Sequence, residues 1–265
     1  MFKKKRIALA IILVFLVFIL SFAGYLSGHY VVPIMMYHSV NPESIPGLQA
    51  LIVNPLTFER QICFLKKGGY KILPLETLGE LIRDNKKLPA KAVALTFDDG
   101  YKDFYQYVFP ILKRYQIPAT MFIIVDEVGR HDRLSWDEIK EMQASGLITF
   151  GSHCMGPEPL INIKSEAELK RQIFSSKKVL ESKLGRPVNT FSYPEGFLNQ
   201  DIRALVIEAG YKLAVSTKTG SCYSSRDLFA LKRVRISESA GNQFYLWLKV
   251  SGYHTFFKDR KKRCR

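Results

Sequence analysis

Four stretches of the sequence place residues suited to metal binding or proton transfer directly after an apolar run. They are Tyr37-His38, Asp98-Asp99-Gly100, Ser152-His153 and Tyr193-Pro194-Glu195-Gly196. Each run is typical of a β-strand, and helical patterns separate the runs along the chain. Because strands that alternate with helices form a parallel sheet, their carboxyl ends open on one face. We therefore expect the four stretches to meet in one site.

The adjacent pair Asp98 and Asp99 follows the continuous apolar run from Ala92 to Phe97, which is typical of a strand buried on both faces. Two neighbouring carboxylates at such a point are costly, because desolvation and mutual repulsion both oppose ionisation. A bound metal ion would remove that cost. Alternatively, Asp98 and Asp99 cap the N-terminus of the following helix.

Two histidines, His38 and His153, occupy equivalent positions after other strand-like runs. Imidazole binds divalent metals and exchanges protons near neutral pH. Taken singly, each is as readily a hydrogen-bonded structural residue. Their convergence with Asp98 and Asp99 on one face favours a shared site.

The elements that must position these residues alternate regularly. Strand patterns cover residues 31–37, 70–73, 92–97, 119–125, 147–150, 188–192, 213–217 and 231–236. Helical patterns cover residues 57–67, 75–84, 101–115, 135–146, 165–185, 201–209 and 242–250, with a kink expected at Pro110. The alternation predicts an α/β fold, a (β/α) barrel rather than an open doubly wound sheet. No glycine-rich nucleotide-binding motif is present.

Several motifs together resemble the NodB-type polysaccharide deacetylases, carbohydrate esterase family 4. They are Thr96-Phe97-Asp98-Asp99-Gly100, Gly151-Ser152-His153, Phe191-Ser192-Tyr193-Pro194-Glu195-Gly196 and Ala209-Gly210-Tyr211. The resemblance runs from about Val31 to Ser237. It implies a distorted (β/α)7 barrel, the NodB homology domain, and a hydrolase that removes acetyl groups from an N-acetylated polysaccharide. It also implies a divalent metal cofactor, often zinc.

The resemblance assigns roles to individual residues. It makes Asp98 the catalytic base and His38, in a Tyr-His motif, the catalytic acid, while Asp99 and His153 bind the metal. It makes the segment Tyr193, Pro194, Glu195 and Gly196 the wall of the substrate groove. The backbone N–H of Tyr193 is the candidate oxyanion donor, with packing of its ring in the core as the open alternative. Arg233 and Arg235 alternate on a late strand, so both can face the same side. They either orient Asp98 as a pair or contribute surface charge.

One departure from the family pattern concerns the metal. The family carries a second histidine four residues after the first, where this sequence has Pro157. Proline cannot bind a metal, and a site built for three protein ligands binds its metal less tightly when one of them is missing. Glu158 is the candidate replacement. The rival hypothesis is a catalytically inactive barrel that serves as a glycan-binding module.

The N-terminus predicts a membrane anchor. Lys3 to Arg6 are basic, and the run from Ile7 to about Gly24 has no charged residue, close to the roughly 20 residues that span a bilayer. A cleaved signal peptide is the alternative. The basic residues before the span place the remainder of the chain outside the cytoplasm. We divide the chain into an anchor region (1–28), a barrel (29–257) and a basic tail (258–265).

The composition fits one sizeable core, with 265 residues of which 47% are hydrophobic. The formal charge is +15, and much of it lies at the two ends of the chain. No basic stripe interleaved with aromatic residues is present, so we expect no nucleic-acid partner. The four cysteines show no Cys-x-x-Cys spacing, which excludes the usual zinc-finger and thioredoxin patterns.

Overall fold

A computed structural model describes residues 13–21, 24, 30–43, 51–217 and 226–254. The chain forms two compact units, Met1–Val31 and Val32–Arg265. In the first unit, residues 13–21 are helical with exposed side chains. Within the described part of the chain, no helix combines the length and apolar character needed to cross a membrane. Much of the predicted anchor, the basic residues before it and the tail 258–265 lie outside the described residues, so the anchor stays a prediction.

The second unit is built on a closed parallel barrel. Its described residues form the strands β1 Ile34–Tyr37, β2 Ser39–Val40, β3 Ile52–Val53, β4 Lys71–Ile72, β5 Ala92–Phe97, β6 Ala119–Ile123, β7 Ile148–Ser152, β8 Thr190–Ser192, β9 Leu213–Ser216 and β10 Leu231–Arg235. Neighbouring strands pair in parallel from β5 through β10 to β1, and a β1–β5 pairing closes the ring. Strand β4 pairs with β5 outside the ring, and β2 pairs with β3 in a separate two-stranded sheet. The predicted (β/α)7 barrel is confirmed.

Helices surround the ring at the predicted places. They are α1 Pro55–Lys67, α2 Leu75–Arg83, α3 Phe109–Tyr115, α4 Trp136–Ala144, α5 Glu166–Lys170, α6 Ser176–Leu184, α7 Gln200–Glu208 and α8 Gln243–Val250. The capping box between Ser135 and Glu138 forms as predicted. Pro110 is the second residue of α3, and the π-helical turn Phe104–Val108 precedes it. The helix thus changes locally from π to α geometry just before the proline, at the point where the sequence predicts a kink.

Strands β5 and β6 are buried on both faces, which accounts for their predominantly apolar sequence. All six residues of β5 and all five of β6 are buried. The ring of Tyr37 stacks on Phe97 with centroids 5.0 Å apart, and Phe58 packs edge-on against both. Burial of each such ring contributes roughly 1.5–3 kcal/mol. The strand ends that carry His38 and Asp98 are therefore fixed by a packed aromatic cluster.

Candidate active site

The predicted residues meet in one cavity of about 360 Å³ at the carboxyl ends of the barrel strands. The register between β1 and β5 pairs Tyr37 with Phe97 and so places His38 beside Asp98. The cavity wall includes the candidate residues His38, Asp98, Asp99, His153, Tyr193, Pro194, Glu195 and Gly196. It also includes Pro157 and Arg233, but Glu158 is exposed and is not part of the wall.

Asp98 forms a buried, bidentate ion pair with Arg233. Their oxygen–nitrogen distances are 2.7 Å and 2.6 Å, and the residues are 2% and 6% exposed. Burial alone would raise the pKa of Asp98. The charge of Arg233, with smaller contributions from its hydrogen bonds and the two histidines, instead lowers that pKa from 3.8 to about 2. Asp98 is therefore ionised at neutral pH, as a proton acceptor must be. Of the two alternatives left open for the arginines, contact with Asp98 applies to Arg233, whereas Arg235 is exposed at the cavity rim.

Asp99 and His153 form the second contact of the site. The Oδ1 atom of Asp99 lies 3.4 Å from Nε2 of His153. The other ring nitrogen, Nδ1, lies 2.7 Å from the carbonyl oxygen of Ser192, which can only accept a hydrogen bond. Nδ1 therefore carries the proton in the neutral ring, and Nε2 keeps a free lone pair toward Asp99. Backbone carbonyls orient metal-binding histidines in this way.

The geometry of this pair fits two ligands of a divalent metal. With bonds of about 2.0–2.2 Å in a tetrahedral arrangement, two such ligands lie about 3.3–3.5 Å apart. Within the described ranges no group of three His, Cys, Asp or Glu side chains is placed to hold an ion. Cys154 is fully buried in the hydrophobic core, and burial raises the pKa of its thiol. Asp99 and His153 are thus two potential ligands at a suitable spacing, and Glu158 as the third stays a prediction.

His38 is half-buried beside the ion pair. Burial lowers the pKa of His38, while Asp98 and Asp99 act in the opposite direction. Its Nδ1 atom is buried without a hydrogen-bond partner. The neutral ring is therefore favoured before substrate binds, and the two carboxylates stabilise any imidazolium that forms.

The segment from Tyr193 to Gly196 forms a tight turn in the cavity wall. The Tyr193 ring is buried and its hydroxyl donates to the Phe229 carbonyl at 3.0 Å. Its N–H donates to the carbonyl of Val215 at 3.2 Å, within the β8–β9 ladder. This corrects our expectation for the oxyanion donor, because that N–H already has a partner, and it favours the core-packing alternative for the ring.

Backbone conformations that L-residues rarely adopt recur at the strand ends. Asp99, Cys154 and Glu195 have φ angles of 71°, 71° and 53°. Gly196 follows with φ of 75°, and a Cβ atom there would lie 2.1 Å from the hydroxyl of Thr217. Such conformations cost about 1–3 kcal/mol and are found at functional sites, where the surrounding structure imposes them.

Sequence reasoning missed the role of Ser192. Its carbonyl accepts from His153, and its hydroxyl accepts from Arg233 Nη2 at 2.9 Å. Ser192 thus connects His153 to the Asp98–Arg233 ion pair. Its position at the end of β8, one residue before the turn, is the signal that could have identified it.

Comparisons with known proteins agree with this geometry. The family model described as polysaccharide deacetylase matches residues 85–214. A poly-β-1,6-N-acetyl-D-glucosamine N-deacetylase from Staphylococcus aureus is 32% identical over 216 residues, covering 76% of this chain and 73% of the relative. The solved deacetylase PplD of Streptococcus pyogenes, in complex with acetate, is 32% identical with a TM-score of 0.73, covering 82% of this chain and 96% of that one. The solved structure of a polysaccharide deacetylase from Bacillus cereus is 31% identical with a TM-score of 0.70, covering 82% of this chain and 68% of that one. The chain therefore belongs to the polysaccharide deacetylase family.

Proposed function

We propose that the protein is a metal-dependent hydrolase that removes N-acetyl groups from an N-acetylhexosamine polysaccharide outside the cytoplasm. The buried Asp98–Arg233 pair beside Asp99 and His153 carries the proposal, because it keeps a proton acceptor ionised next to two suitably spaced metal ligands. The names of the relatives support the substrate class. Poly-β-1,6-N-acetyl-D-glucosamine is the substrate in the name of the S. aureus relative.

In the proposed reaction, each residue has one task. A divalent ion such as zinc, when held by Asp99 and His153, would polarise the acetyl carbonyl and a water molecule. Asp98 accepts a proton from that water, and Arg233 keeps both carboxylate oxygens in position. His38 takes up a proton from the solvent, and as the carbon–nitrogen bond breaks its imidazolium donates that proton to the leaving amine. Acetate and a free amino sugar are the products.

The location rests on the sequence of the N-terminus. Basic residues precede the apolar run, which favours a single-pass signal anchor with the barrel outside the cell membrane. A secreted protein is expected if that segment is cleaved. In either case the polymer would be an exopolysaccharide or a cell-wall glycan.

One observation favours a second candidate function. Pro157, which replaces the family's second histidine, lies in the cavity wall, whereas Glu158 does not. If no third ligand is recruited, the barrel would bind glycan without hydrolysing it.

Acetate release by the full-length protein separates the two functions. We would incubate it with N-acetylglucosamine oligomers and supply zinc, cobalt, nickel or manganese in turn, with Asp98→Asn as the matched control. Acetate release that depends on added metal and on Asp98 is the expected result. Oligomer binding without acetate release at any metal concentration would reject the hydrolase and leave the glycan-binding module.

A further inference from the structure

The motif Ala209-Gly210-Tyr211 has no task in the proposed reaction, yet its tyrosine lies deep in the protein. Tyr211 is 3% exposed, and its ring packs against Phe191 with centroids 5.1 Å apart. Its hydroxyl donates a hydrogen bond to the carbonyl of Ile173 at 3.1 Å. Burial raises the pKa of Tyr211, so this hydroxyl keeps its proton and remains a donor at neutral pH.

Two further buried hydroxyls connect to that carbonyl. Ser176 donates to the same Ile173 carbonyl at 3.0 Å and lies 3.5 Å from the Tyr211 hydroxyl. Ser152 in turn donates to the Ser176 oxygen at 2.8 Å. Since each hydroxyl has one proton to donate, these contacts form one directed chain, which runs from Ser152 to Ser176 and meets Tyr211 at a single carbonyl.

The carbonyl that the two hydroxyls share lies in a π-helical turn. Residues Arg171–Ser175 form this turn between α5 and α6, and Ser176 is the first residue of α6. Single π-helical turns inside α-helices are frequent at functional sites. Ser152, Ser176 and Ile173 are 0% exposed, so bulk water cannot replace a hydrogen bond that is lost from this chain of hydroxyls.

The other end of the chain of hydroxyls reaches the backbone around His153. Ser152 precedes His153, and the Ser152 oxygen accepts a hydrogen bond from the N–H of Cys154 at 3.2 Å. This contact closes a short turn with the histidine at its centre. Cys154 has a φ of 71°, a conformation that costs about 1–3 kcal/mol and persists where the surrounding structure imposes it. The bond to Ser152 is part of that constraint.

Strand β6 and the residues after it hold the same backbone from the other side. The N–H of His153 donates to the Ile123 carbonyl at 2.8 Å, and the Cys154 carbonyl accepts from the N–H of Val125 at 3.2 Å. With its backbone held on both sides, His153 keeps Nε2 3.4 Å from Asp99. The contacts from β6 involve backbone atoms only, so the hydroxyls are the part of this support that a substitution can remove.

We propose that Ser152 is a positioning residue for His153, held in place by the buried hydroxyls of Ser176 and Tyr211. The inference rests on the proposed function for its consequence, the affinity of the site for a divalent ion. Removal of a group that orients a metal-binding histidine typically weakens metal binding or activity about 10- to 100-fold. Ser176 and Tyr211 would act through Ser152 and the backbone of His153.

The first test measures the Kd of zinc for the full-length protein by competition with a chelator. Ser152→Ala removes the hydroxyl next to His153, and Tyr211→Phe removes only the hydroxyl at the far end of the chain. Thr149→Val is the matched control, because it removes a hydroxyl from the same strand, β7, that bonds to Thr120 at 2.9 Å and takes no part in the chain. Urea unfolding of each metal-free protein checks that the variants are folded.

Ser152→Ala should raise the Kd of zinc at least about tenfold, and Tyr211→Phe about threefold, because Ser176 keeps its bond to the Ile173 carbonyl. Thr149→Val should leave the Kd unchanged. The double variant of Ser152 and Tyr211 should match Ser152→Ala alone, since the tyrosine acts through the serine. An unchanged Kd in Ser152→Ala, equal weakening in Thr149→Val, or a double variant in which the two effects multiply would overturn the inference. If Ser152→Ala does not fold, the comparison of Tyr211→Phe with Thr149→Val decides.

A second test without metal separates this inference from the proposed function. The Nδ1 proton of His153, which faces the Ser192 carbonyl at 2.7 Å, should give a downfield NMR signal that is absent in His153→Gln. Ser152→Ala and Tyr211→Phe should shift or broaden this signal, and Thr149→Val should not. No such signal in the native protein, or a signal that neither variant changes, would reject the positioning role. If the native protein binds no zinc, cobalt, nickel or manganese, the metal-dependent hydrolase is rejected, and the NMR signal alone decides the role of Ser152.

Discussion

Removal of the guanidinium at position 233 should destabilise the protein strongly near neutral pH. Arg233→Met keeps the length of the side chain but leaves the Asp98 carboxylate, 2% exposed, without its cation. Removing one partner of a buried ion pair costs about 3–5 kcal/mol of unfolding free energy. The matched control is Arg235→Met, two residues along the same strand, where the side chain is exposed and the change should be within about 0.5 kcal/mol.

The pH dependence of the unfolding free energy shows whether charge causes the destabilisation. In the native protein the pKa of Asp98 is about 2, below its ordinary 3.8, so the pair contributes stability above the unfolded-state pKa. That contribution is lost as pH falls from about 4 through 2. In Arg233→Met, burial is left to raise the pKa of Asp98, so the buried carboxylate destabilises the fold at neutral pH and is relieved by protonation in acid.

Urea unfolding with a chelator present would measure the difference without contribution from bound metal. We expect the deficit of Arg233→Met to be large at pH 7 and to shrink as the pH falls through the raised pKa of Asp98 in the variant and on toward about 2, the pKa in the native protein. A deficit below about 1 kcal/mol at pH 7 would refute the assigned strength of the pair. A large deficit that does not change with pH would show that lost packing, and not charge, is the cause.

Further variants test the remaining assignments. Asp98→Asn should abolish acetate release while metal stays bound, and Asp99→Ala should lose the metal; equal metal loss in both, measured by elemental analysis, would contradict the separate roles. Pro157→His should tighten zinc binding at least about tenfold in a competition titration, and unchanged affinity would mean that residue 157 is not positioned to reach the ion. Gly196→Ala should lower the urea midpoint, equivalent to about 1–3 kcal/mol, because its φ of 75° and a threonine hydroxyl 2.1 Å from the new methyl group oppose it. A reporter fused after Arg265 should be active outside the cytoplasm; activity of a cytoplasm-only reporter there would reverse the assigned orientation.

The sequence was sufficient to predict the barrel and the convergence of the site, because both follow from periodicity. Four of the predicted strands were followed by residues suited to metal binding or proton transfer, and parallel strands place those ends on one face. His38 and Asp98 are adjacent because β1 pairs with β5, a register that the pattern alone does not specify. The two-stranded pairing of β2 with β3 was missed, since each strand has only two residues.

Backbone hydrogen bonding was the least predictable part of the site. Whether the N–H of Tyr193 faces a ligand or the neighbouring strand depends on how far the β8–β9 ladder continues. The structure extends that ladder to Val215. Likewise, the two contacts of Ser192 arise from its carbonyl and its hydroxyl pointing to different neighbours, which residue type cannot show. The alternative roles of Arg233 and Arg235 were separable only by their exposure.

The place of β10 in the barrel determines when a working site can exist during synthesis. This strand carries Arg233, lies between β1 and β9, and is the last strand that the described chain contributes. During synthesis, Asp98, Asp99 and His153 are made well before residue 231 is added to the chain. Until then the ring is open between β1 and β9, and Asp98 has no guanidinium partner. In the proposed reaction, catalytic competence is therefore acquired in one late step, and an unfinished chain carries the proposed metal ligands and the proposed base without the ion pair that holds Asp98.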